Sequence, residues 1–351
     1  MKRFMATPSH VNLKMLAEHL GLSPATVSRA LSGDAAISAR TRQRVAAAAE
    51  QLGYRPNLSA RRLATGRTNA IGLVFPLERL QLFESHLVDF LTGISEIVTR
   101  HNYDLVLSPF IDDEAAVLRR LAASRSVDGI IITGPLLQDW RIRLLHALDL
   151  PFVVHGQTEA DLPYSFVDID NEAVFAKAAD LLLDLGHRRI ATLNAPLELN
   201  FATARARGFR RALAARGLSP DPALTQEGPM SEARGQELAR LLLDGPSPPT
   251  AIICGSIFLA RGVYLALRER GLVPGRDLAV VAHDDLFRDF RASRFSPPLT
   301  ATESSVRQAG ERITEILIAQ LHAKPGEARP VQEIWPVELV FRSSAGPAPA
   351  T

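Results

Sequence analysis

The sequence predicts two structural classes in one chain: an N-terminal all-α helix-turn-helix domain, followed by a two-lobed α/β body with doubly wound parallel sheets. Short helical patterns fill residues 13–53, which are rich in arginine and alanine. After Ala70, short β-branched segments alternate with helical segments, an order typical of parallel sheets. The 351 residues suffice for two or three domains with buried cores.

Composition and apolar runs favour an intracellular globular protein. The chain is 46% hydrophobic and 22% charged, as is usual for soluble domains. The longest apolar runs are too short to cross a bilayer, and the basic start lacks the apolar segment of a signal peptide. The single cysteine, Cys254, excludes an internal disulfide and fits a reducing compartment. We therefore expect a cytoplasmic protein that does not associate with membranes.

Charge is distributed unevenly along the chain. Residues 1–66 contain ten basic and three acidic residues, a net charge of +7, so the remaining residues carry −5 of the total of +2. Such asymmetry indicates a basic module that meets a polyanion, attached to a mildly acidic body. A solvated basic surface would give the same count, so charge alone does not decide.

The first two helical segments form a helix-turn-helix pattern. Apolar residues at positions 13, 16, 17 and 20 make a helical stripe that Gly21 ends. Ser23 and Pro24 then provide an N-cap and a first helical residue for a second helix, which runs to about Leu31. A third helix is predicted over residues 38–53. Two short helices joined by a glycine-containing turn are typical of DNA-binding modules.

The second helix presents small polar side chains on one face. Its pattern buries Val27 and Leu31 and directs a set of residues outward that suits phosphates and base edges in the major groove. That set consists of Ala25, Thr26, Ser28 and Arg29. Any small helical bundle is the structural alternative.

Residues 12–33, with the core Ala-Thr-Val-Ser-Arg, resemble the DNA-binding segment of the LacI/GalR repressor family, and the similarity continues to about residue 75. The resemblance implies that Pro24, Ala25 and Arg29 read bases. It also implies that phosphates are contacted mainly by Ser23, Thr26, Ser28 and Asn57. Because Pro24 and Ala25 offer only apolar contact, we expect Arg29 to dominate hydrogen-bonded readout.

A short helix is expected at residues 57–66, between the two parts of the chain. A helix of this length is marginal in water by itself, so it should fold only against a partner. By resemblance, Leu63 is the hinge leucine that wedges the minor groove together with its counterpart from a second subunit, and Arg61 and Arg62 flank it as phosphate partners. A flexible linker with an incidental leucine is the alternative.

The body alternates strands and helices in a two-lobed arrangement. Strands are predicted at residues 71–75, 105–108, 129–133, 152–154, 190–193, 251–254 and 278–282. The second lobe is expected to begin near Asp170. Ligands of such sheets bind beyond the carboxyl ends of the strands, here between the lobes.

The LacI/GalR similarity extends more weakly through the body and implies a periplasmic-binding-protein-like sensor. It matches Arg205 and Asp284 to effector-binding residues, and such a pair can bracket sugar hydroxyls with charge-assisted hydrogen bonds. Other candidates can pack on a sugar ring or face the cleft, although a core or structural role stays open for each: Phe83, His155, Tyr164, Phe201, Met230 and His283. The chain departs from the family pattern at Ser256-Ile257 and Ala282-His283, so no single member's ligand can be transferred.

Motifs for other chemistry do not appear in the sequence. There is no glycine-rich nucleotide loop, paired-cysteine motif, zinc-protease motif or serine elbow, so we expect no cofactor, no metal and no enzymatic activity. Two other classes remain as alternatives. One is a sugar-binding transport protein, which would not need the basic helical module, and the other is an enzyme domain fused to a DNA-binding module.

The predicted organisation is a helix-turn-helix domain at 11–56, a hinge helix at 57–66, a sensor at 67–343 and a disordered tail at 344–351. Within the sensor, the N-lobe is expected at 70–168 plus 301–331 and the C-lobe at 169–300 plus 332–343. We expect a homodimeric repressor that binds a near-palindromic DNA operator and responds to a mono- or disaccharide. Release of DNA is the expected response, while co-repression and a tetrameric assembly stay open.

Overall fold

The computed structural model describes residues 11–31, 34–54, 67–77, 84–324, 326–327 and 329–349, except the side chains of residues 84 and 85. The chain divides into two compact units, Met1–Thr68 and Asn69–Thr351. The predicted hinge helix at 57–66 and Phe83 lie outside the described residues.

The first unit contains the helices α1 (Leu13–Leu20), α2 (Pro24–Leu31) and α3 (Ala39–Gln51). At the start of α1, the Asn12 side chain accepts a hydrogen bond from the Met15 amide at 3.0 Å, and Gly21 ends the helix with a left-handed φ of 63°. The predicted span of this helix and its end at Gly21 are confirmed, and the Asn12 cap is a feature that the structure adds.

One small core joins these three helices. Its buried side chains are those of Leu16, Ala17, Leu20, Val27, Ala30, Val45, Ala48 and Ala49. In α2 it is Ala30 that is buried together with Val27, whereas Leu31 is only half-buried. Leu31 therefore packs at the edge of this core, and Ala30 lies inside it.

The second unit alternates strands and helices. Its strands are β1 (Ala70–Pro76), β2 (Asp104–Phe110), β3 (Gly129–Thr133), β4 (Phe152–His155), β5 (Ser165–Ile169), β6 (Ile190–Asn194), β7 (Thr225–Glu227), β8 (Ala251–Cys254), β9 (Ala279–Asp284), β10 (Thr300–Glu303), β11 (Gln332–Trp335) and β12 (Glu338–Val340). Its helices are α4 (Glu84–Arg100), α5 (Glu114–Ala123), α6 (Trp140–Ala147), α7 (Asn171–Asp184), α8 (Asn200–Ala214), α9 (Glu232–Leu243), α10 (Ile257–Glu269) and α11 (Val306–His322).

The strands form two six-stranded sheets, one for each lobe. The first sheet has the order β11-β5-β4-β3-β1-β2 and is parallel throughout. The second has the order β12-β10-β9-β8-β6-β7; among its described strands, β12 alone is antiparallel to its neighbour. Helices follow nearly every strand, so the doubly wound α/β prediction is confirmed.

The described part of the chain passes between the lobes three times: after β5, between β10 and α11, and between β11 and β12. The predicted lobe boundaries at 301 and 332 are wrong by a short strand in each case. Strand β10 pairs with β9 in the second sheet, and β11 pairs with β5 in the first. The pairing of β11 with β5 joins distant parts of the chain, so the local sequence pattern does not reveal it, whereas β10 pairs with β9, the strand that precedes it.

The expected disorder of residues 344–351 is wrong as far as Pro349, the last described residue. Ser344 is fully buried; its hydroxyl donates to the Val280 carbonyl at 2.6 Å and accepts from the Thr300 amide at 2.8 Å. Further along, the Ala348 amide donates to the Leu185 carbonyl at 2.9 Å. Small side chains allow this segment to lie close to the second sheet. Among the described residues, no helix is long and apolar enough to cross a membrane.

Candidate ligand cavity and nucleic-acid interface

The outward face of α2 carries the side chains expected to contact DNA. Ser23, Pro24, Ala25, Ser28 and Arg29 are exposed. Thr26 is half-buried, and its hydroxyl lies 2.8 Å from that of Ser23 at the helix N-terminus. Asn57, Arg61 and Leu63 fall outside the described residues.

Arg29 makes an ion pair at the end of this face. Its Nε donates to Asp34 Oδ2 at 2.7 Å, and both side chains remain substantially exposed. Asp34 itself is fixed, because its other oxygen accepts a hydrogen bond from the Ala36 amide. The carboxylate thus orients the guanidinium and competes for it with phosphate and base acceptors.

A cavity of about 500 Å³ lies between the two lobes of the second unit. In the first lobe it is lined by residues at the carboxyl ends of β1 to β5. In the second lobe the lining comes from α8, near the end of β6, and from residues that follow β7, β8 and β9. Open parallel sheets bind ligands at this edge, and the volume falls in the range of small-molecule sites.

A buried polar group forms one end of the cavity. The Arg205 guanidinium donates from Nε to Asn171 Oδ1 at 3.0 Å and from Nη1 to the Gly255 carbonyl at 2.7 Å. Asn171 in turn donates to Asp168 Oδ1 at 2.9 Å, and Gln157 donates to Asp168 Oδ2 at 3.2 Å. These side chains come from both lobes, so the group is complete only when the lobes face each other.

The charges in this group are set by burial and by their neighbours. Burial lowers the pKa of Arg205 to about 10, so the guanidinium stays charged at neutral pH. Burial raises the pKa of Asp168 to about 6, against the hydrogen bonds it accepts from Ile169, Gln157 and Asn171. Asp285 also lines the cavity; burial alone would raise its carboxyl pKa, but the hydrogen bond from His283 and the charge of Arg205 hold that pKa below its usual value.

Donors of Arg205 remain for a ligand. A guanidinium carries five N–H groups, and Nε and Nη1 supply the bonds to Asn171 and Gly255. Nη2 makes no hydrogen bond to the described residues. With Asp285 as an acceptor, the cavity offers the paired donor and acceptor that bind vicinal hydroxyls.

Aromatic and apolar side chains make up much of the remaining lining. The Phe201 ring lies 4.9 Å from the Arg205 guanidinium carbon, and Met230 and Trp140 also line the cavity. His155 stacks on Phe90 with ring centroids 4.8 Å apart.

Two of the cavity's aromatic side chains are histidines. Burial, together with nearby His86, lowers the pKa of His155 to about 3, so this imidazole is neutral at physiological pH. Burial also lowers the pKa of His86 itself. Both imidazoles therefore line the cavity as neutral groups.

Backbone contacts join the lobes at the rim of the cavity. Leu136 and Leu199 form an isolated antiparallel bridge. The Leu137 amide donates to the Glu198 carbonyl at 3.0 Å, and the Asn200 amide donates to the Pro135 carbonyl at 3.1 Å. These bonds hold the two lobes together beside the cavity.

Three sequence-predicted effector residues do not line the cavity. Asp284 accepts hydrogen bonds from the amides of Leu286 and Ala292, at 2.8 and 2.7 Å, and so fixes the loop after β9. The side chain that faces the cavity is Asp285, because side chains alternate in direction as the strand ends.

The other two are internal. His283 is buried between the hydroxyls of Thr302 and Ser304, at 3.0 and 3.1 Å. Tyr164 packs in the core of the first lobe, where its hydroxyl donates to the Thr158 carbonyl at 2.7 Å. The geometry therefore supports a structural role for both side chains.

The structure adds cavity residues that the sequence interpretation missed. For this segment the sequence predicts only the start of the second lobe, near Asp170. Asp170 caps α7 by accepting a hydrogen bond from the Ala173 amide, while Asp168 in β5 and Asn171 at the start of α7 line the cavity. Trp140 carried no distinguishing pattern. Among the described residues, no cluster of His, Cys, Asp and Glu is arranged to hold a metal.

A helix-turn-helix unit joined to a two-lobed α/β unit with an interlobe cavity defines the class of DNA-binding regulators that carry a ligand sensor. Residues 12–57 match the model of bacterial regulatory proteins of the lacI family, and residues 179–345 match the periplasmic binding protein-like domain. The chain is 46% identical to the HTH-type transcriptional regulator AglR of Rhizobium meliloti over 341 residues, which cover 97% of this chain and 95% of the relative. The chain therefore belongs to the lacI family of transcriptional regulators.

Solved structures of similar proteins agree with this assignment. The Lac repressor dimer bound to operator and the anti-inducer ONPF superposes with a TM-score of 0.82 at 28% identity, covering 96% of this chain and 99% of that one. The CelR–cellobiose complex has a TM-score of 0.70 at 27% identity and covers 95% of this chain and all of that one.

Proposed function

We propose that this transcriptional regulator is a cytoplasmic repressor whose affinity for its operator is controlled by a sugar bound between the lobes. The observation that carries the proposal is the buried Arg205–Asn171–Asp168 group, which together with Asp285 lines a cavity of about 500 Å³. Fixed donors and acceptors beside aromatic faces are the chemistry that recognises polyhydroxylated rings. The solved CelR complex with cellobiose supports a sugar effector.

The assembly and DNA contacts are proposed on the same basis. A homodimer would place two copies of α2 in successive major-groove half-sites of a near-palindromic operator, as the operator-bound Lac repressor dimer suggests. The contacts would come from Ser23, Pro24, Ala25, Thr26, Ser28 and Arg29, with Asn57, Arg61 and Leu63 in and beside the hinge.

The proposed effector contacts are residues that line the cavity. Phe201, Arg205, Met230 and His155 keep the role that the sequence suggested, and Asp285 takes the place of Asp284. Phe83 stays a prediction. Sugar binding would favour one relative placement of the lobes, and the hinge at 57–66 would pass this preference to the DNA-binding unit.

A two-step experiment tests the proposal. A thermal-shift screen against mono- and disaccharides should find a ligand that raises the melting temperature, since a ligand at 100 times its Kd stabilises the folded state by about 2.7 kcal/mol. Operator fragments should then be retained by the free protein and released by that sugar. Chromatography of the sugar after incubation should recover it unchanged. Turnover would instead favour an enzyme fused to a DNA-binding module.

A further inference from the structure

The cavity is long in one direction. In the first lobe it is lined by the carboxyl ends of β5 (Asp168), β4 (His155), β3 (Thr133), β1 (Pro76) and β2 (Phe110). These five strands are consecutive neighbours in the sheet. Because adjacent strands lie about 4.8 Å apart, their ends span about 19 Å. A single pyranose ring is much shorter than this row, whereas linked rings match it.

The two ends of this row differ in chemistry. At the β5 end, Asp168 joins Asn171 and Arg205 in the buried hydrogen-bonded group. At the β1 and β2 end, Pro76 and Phe110 supply apolar surface at the strand ends, beside the ion pair of Glu114 and Arg141. A ligand that uses both ends therefore needs hydroxyls fixed at one end and the apolar face of a ring at the other.

Trp140 offers an aromatic surface to such a ring. It is the first residue of α6, it lines the cavity, and 42% of its surface is exposed. A large indole left in water at a cavity gains contact area when a ligand covers it.

The backbone that carries Trp140 is held rigidly. Asp139 accepts hydrogen bonds from the Leu136 amide at 3.0 Å and from Arg141 Nε at 2.8 Å. Arg141 also donates to Glu114 at 3.0 Å, and both Asp139 and Arg141 are buried. The residues on either side of Trp140 are therefore fixed, and a fixed aromatic surface costs little ordering when a ligand binds.

We propose that the effector is an oligosaccharide of at least two linked rings, with one ring held at the Arg205 end of the cavity and a further ring stacked on Trp140. The inference rests on the proposed sugar-responsive function and narrows its ligand class. A monosaccharide would fill only the polar end and leave the Trp140 surface exposed to water.

The two tryptophans of the chain allow a direct readout. Replacing Trp335, a half-buried residue of β11, gives Trp335→Phe, in which Trp140 is the only remaining tryptophan. The full-length variant is titrated with glucose, galactose and fructose, and separately with maltose, cellobiose, sucrose and lactose. A binding disaccharide should change the emission of Trp140, and a monosaccharide should not. Emission unchanged by a disaccharide that calorimetry shows to be bound would overturn the assignment of Trp140.

Calorimetry on a second variant gives an independent test. Trp140→Ala should weaken the best disaccharide about tenfold, as expected for the loss of an aromatic stacking contact, and Trp140→Phe should retain part of the affinity. Phe341→Ala is the matched control, because Phe341 is 58% exposed and does not line the cavity. A melting temperature close to that of the parent protein shows that each variant is folded.

The outcomes separate this inference from the function on which it rests. If a monosaccharide binds as tightly as any disaccharide, the ligand class proposed here is wrong, while a sugar-responsive regulator remains. An equal loss for mono- and disaccharides in Trp140→Ala would also overturn the outer-ring role. If no sugar of the panel binds, both the inference and the proposed sugar effector fail.

Discussion

Replacing Arg205 with alanine is expected to remove most of the sugar affinity and to leave operator binding by the ligand-free protein intact. Hydrogen bonds to a charged group contribute about 1.5–3 kcal/mol each. Arg205 keeps Nη2 for the ligand, because Nε and Nη1 serve Asn171 and Gly255. Loss of one or two such bonds predicts about 3 kcal/mol, which is about 150-fold in Kd.

The same substitution should also lower stability. It leaves Asn171 Oδ1 and the Gly255 carbonyl without their partner, and a buried polar group without a partner costs about 1–3 kcal/mol. We therefore expect the melting temperature to fall by about 5–10 °C in a domain of this size. Calorimetry with the sugar found by screening measures the affinity, and DNA retention assays measure operator binding.

A neighbouring arginine provides the matched control for this experiment. Arg207 lies two residues further along α8, is exposed, and pairs with Glu172 outside the cavity. Arg207→Ala should leave the sugar affinity unchanged. If both variants lost affinity equally, or if Arg205→Ala bound sugar like the parent protein, the assignment of the polar end of the cavity would be refuted.

Further predictions concern the DNA contacts and the charge of Asp168. Arg29→Ala should lower operator affinity about 10-fold or more with unchanged sugar affinity, and a loss of both would contradict the separation of the two units. Asp34→Asn, which removes the carboxylate partner of Arg29, should strengthen binding to non-operator DNA in a retention assay; weaker binding would show that Asp34 serves only to orient Arg29. Leu63→Ala should reduce specific binding more than non-specific binding, and equal losses would exclude the minor-groove wedge. Burial raises the pKa of Asp168 to about 6, so between about pH 4 and 6 the folded protein keeps a proton on this carboxyl that the unfolded chain has lost. The free energy of unfolding therefore falls as pH rises through that window, by up to about 3 kcal/mol. Asp168→Asn should therefore raise the melting temperature of the sugar-free protein at pH 7.5 but not at pH 4, with the Gln157 carboxamide turned to accept a hydrogen bond from the new amide. A gain of equal size at both pH values would refute the buried charge of Asp168 as its cause.

The helices and strands could be predicted from local sequence because the residues that begin and end each of them are close in the chain. Asn12 and Gly21 delimit α1 through hydrogen bonds and backbone geometry that involve only nearby residues. The apolar runs of β3 and β8 are buried on both faces, as central strands of parallel sheets require. Alternation of strands and helices then leaves few possible sheet topologies.

The cavity was harder to predict because side-chain direction at a strand end decides which residue faces it. Asp284 and Asp285 are adjacent and chemically identical, yet the first binds backbone amides of the following loop and the second lines the cavity. Tyr164 looked suited to a sugar ring, but its hydroxyl satisfies the Thr158 backbone inside the first lobe. The partners of Asp284 and Tyr164 are close in sequence, but the loop conformations that bring them together are set by packing of the folded lobes. The pairing of β11 with β5 depends on residues distant in sequence.

The most direct test of the central claim measures operator affinity by fluorescence anisotropy, with the protein either free or saturated with the sugar identified by screening. Coupling between two sites is typically worth about 1–3 kcal/mol, so the sugar should weaken operator binding about 5- to 150-fold. Arg205→Ala should bind the operator normally and lose this response. Equal operator affinity with and without sugar, while calorimetry shows the sugar to be bound, would contradict the account.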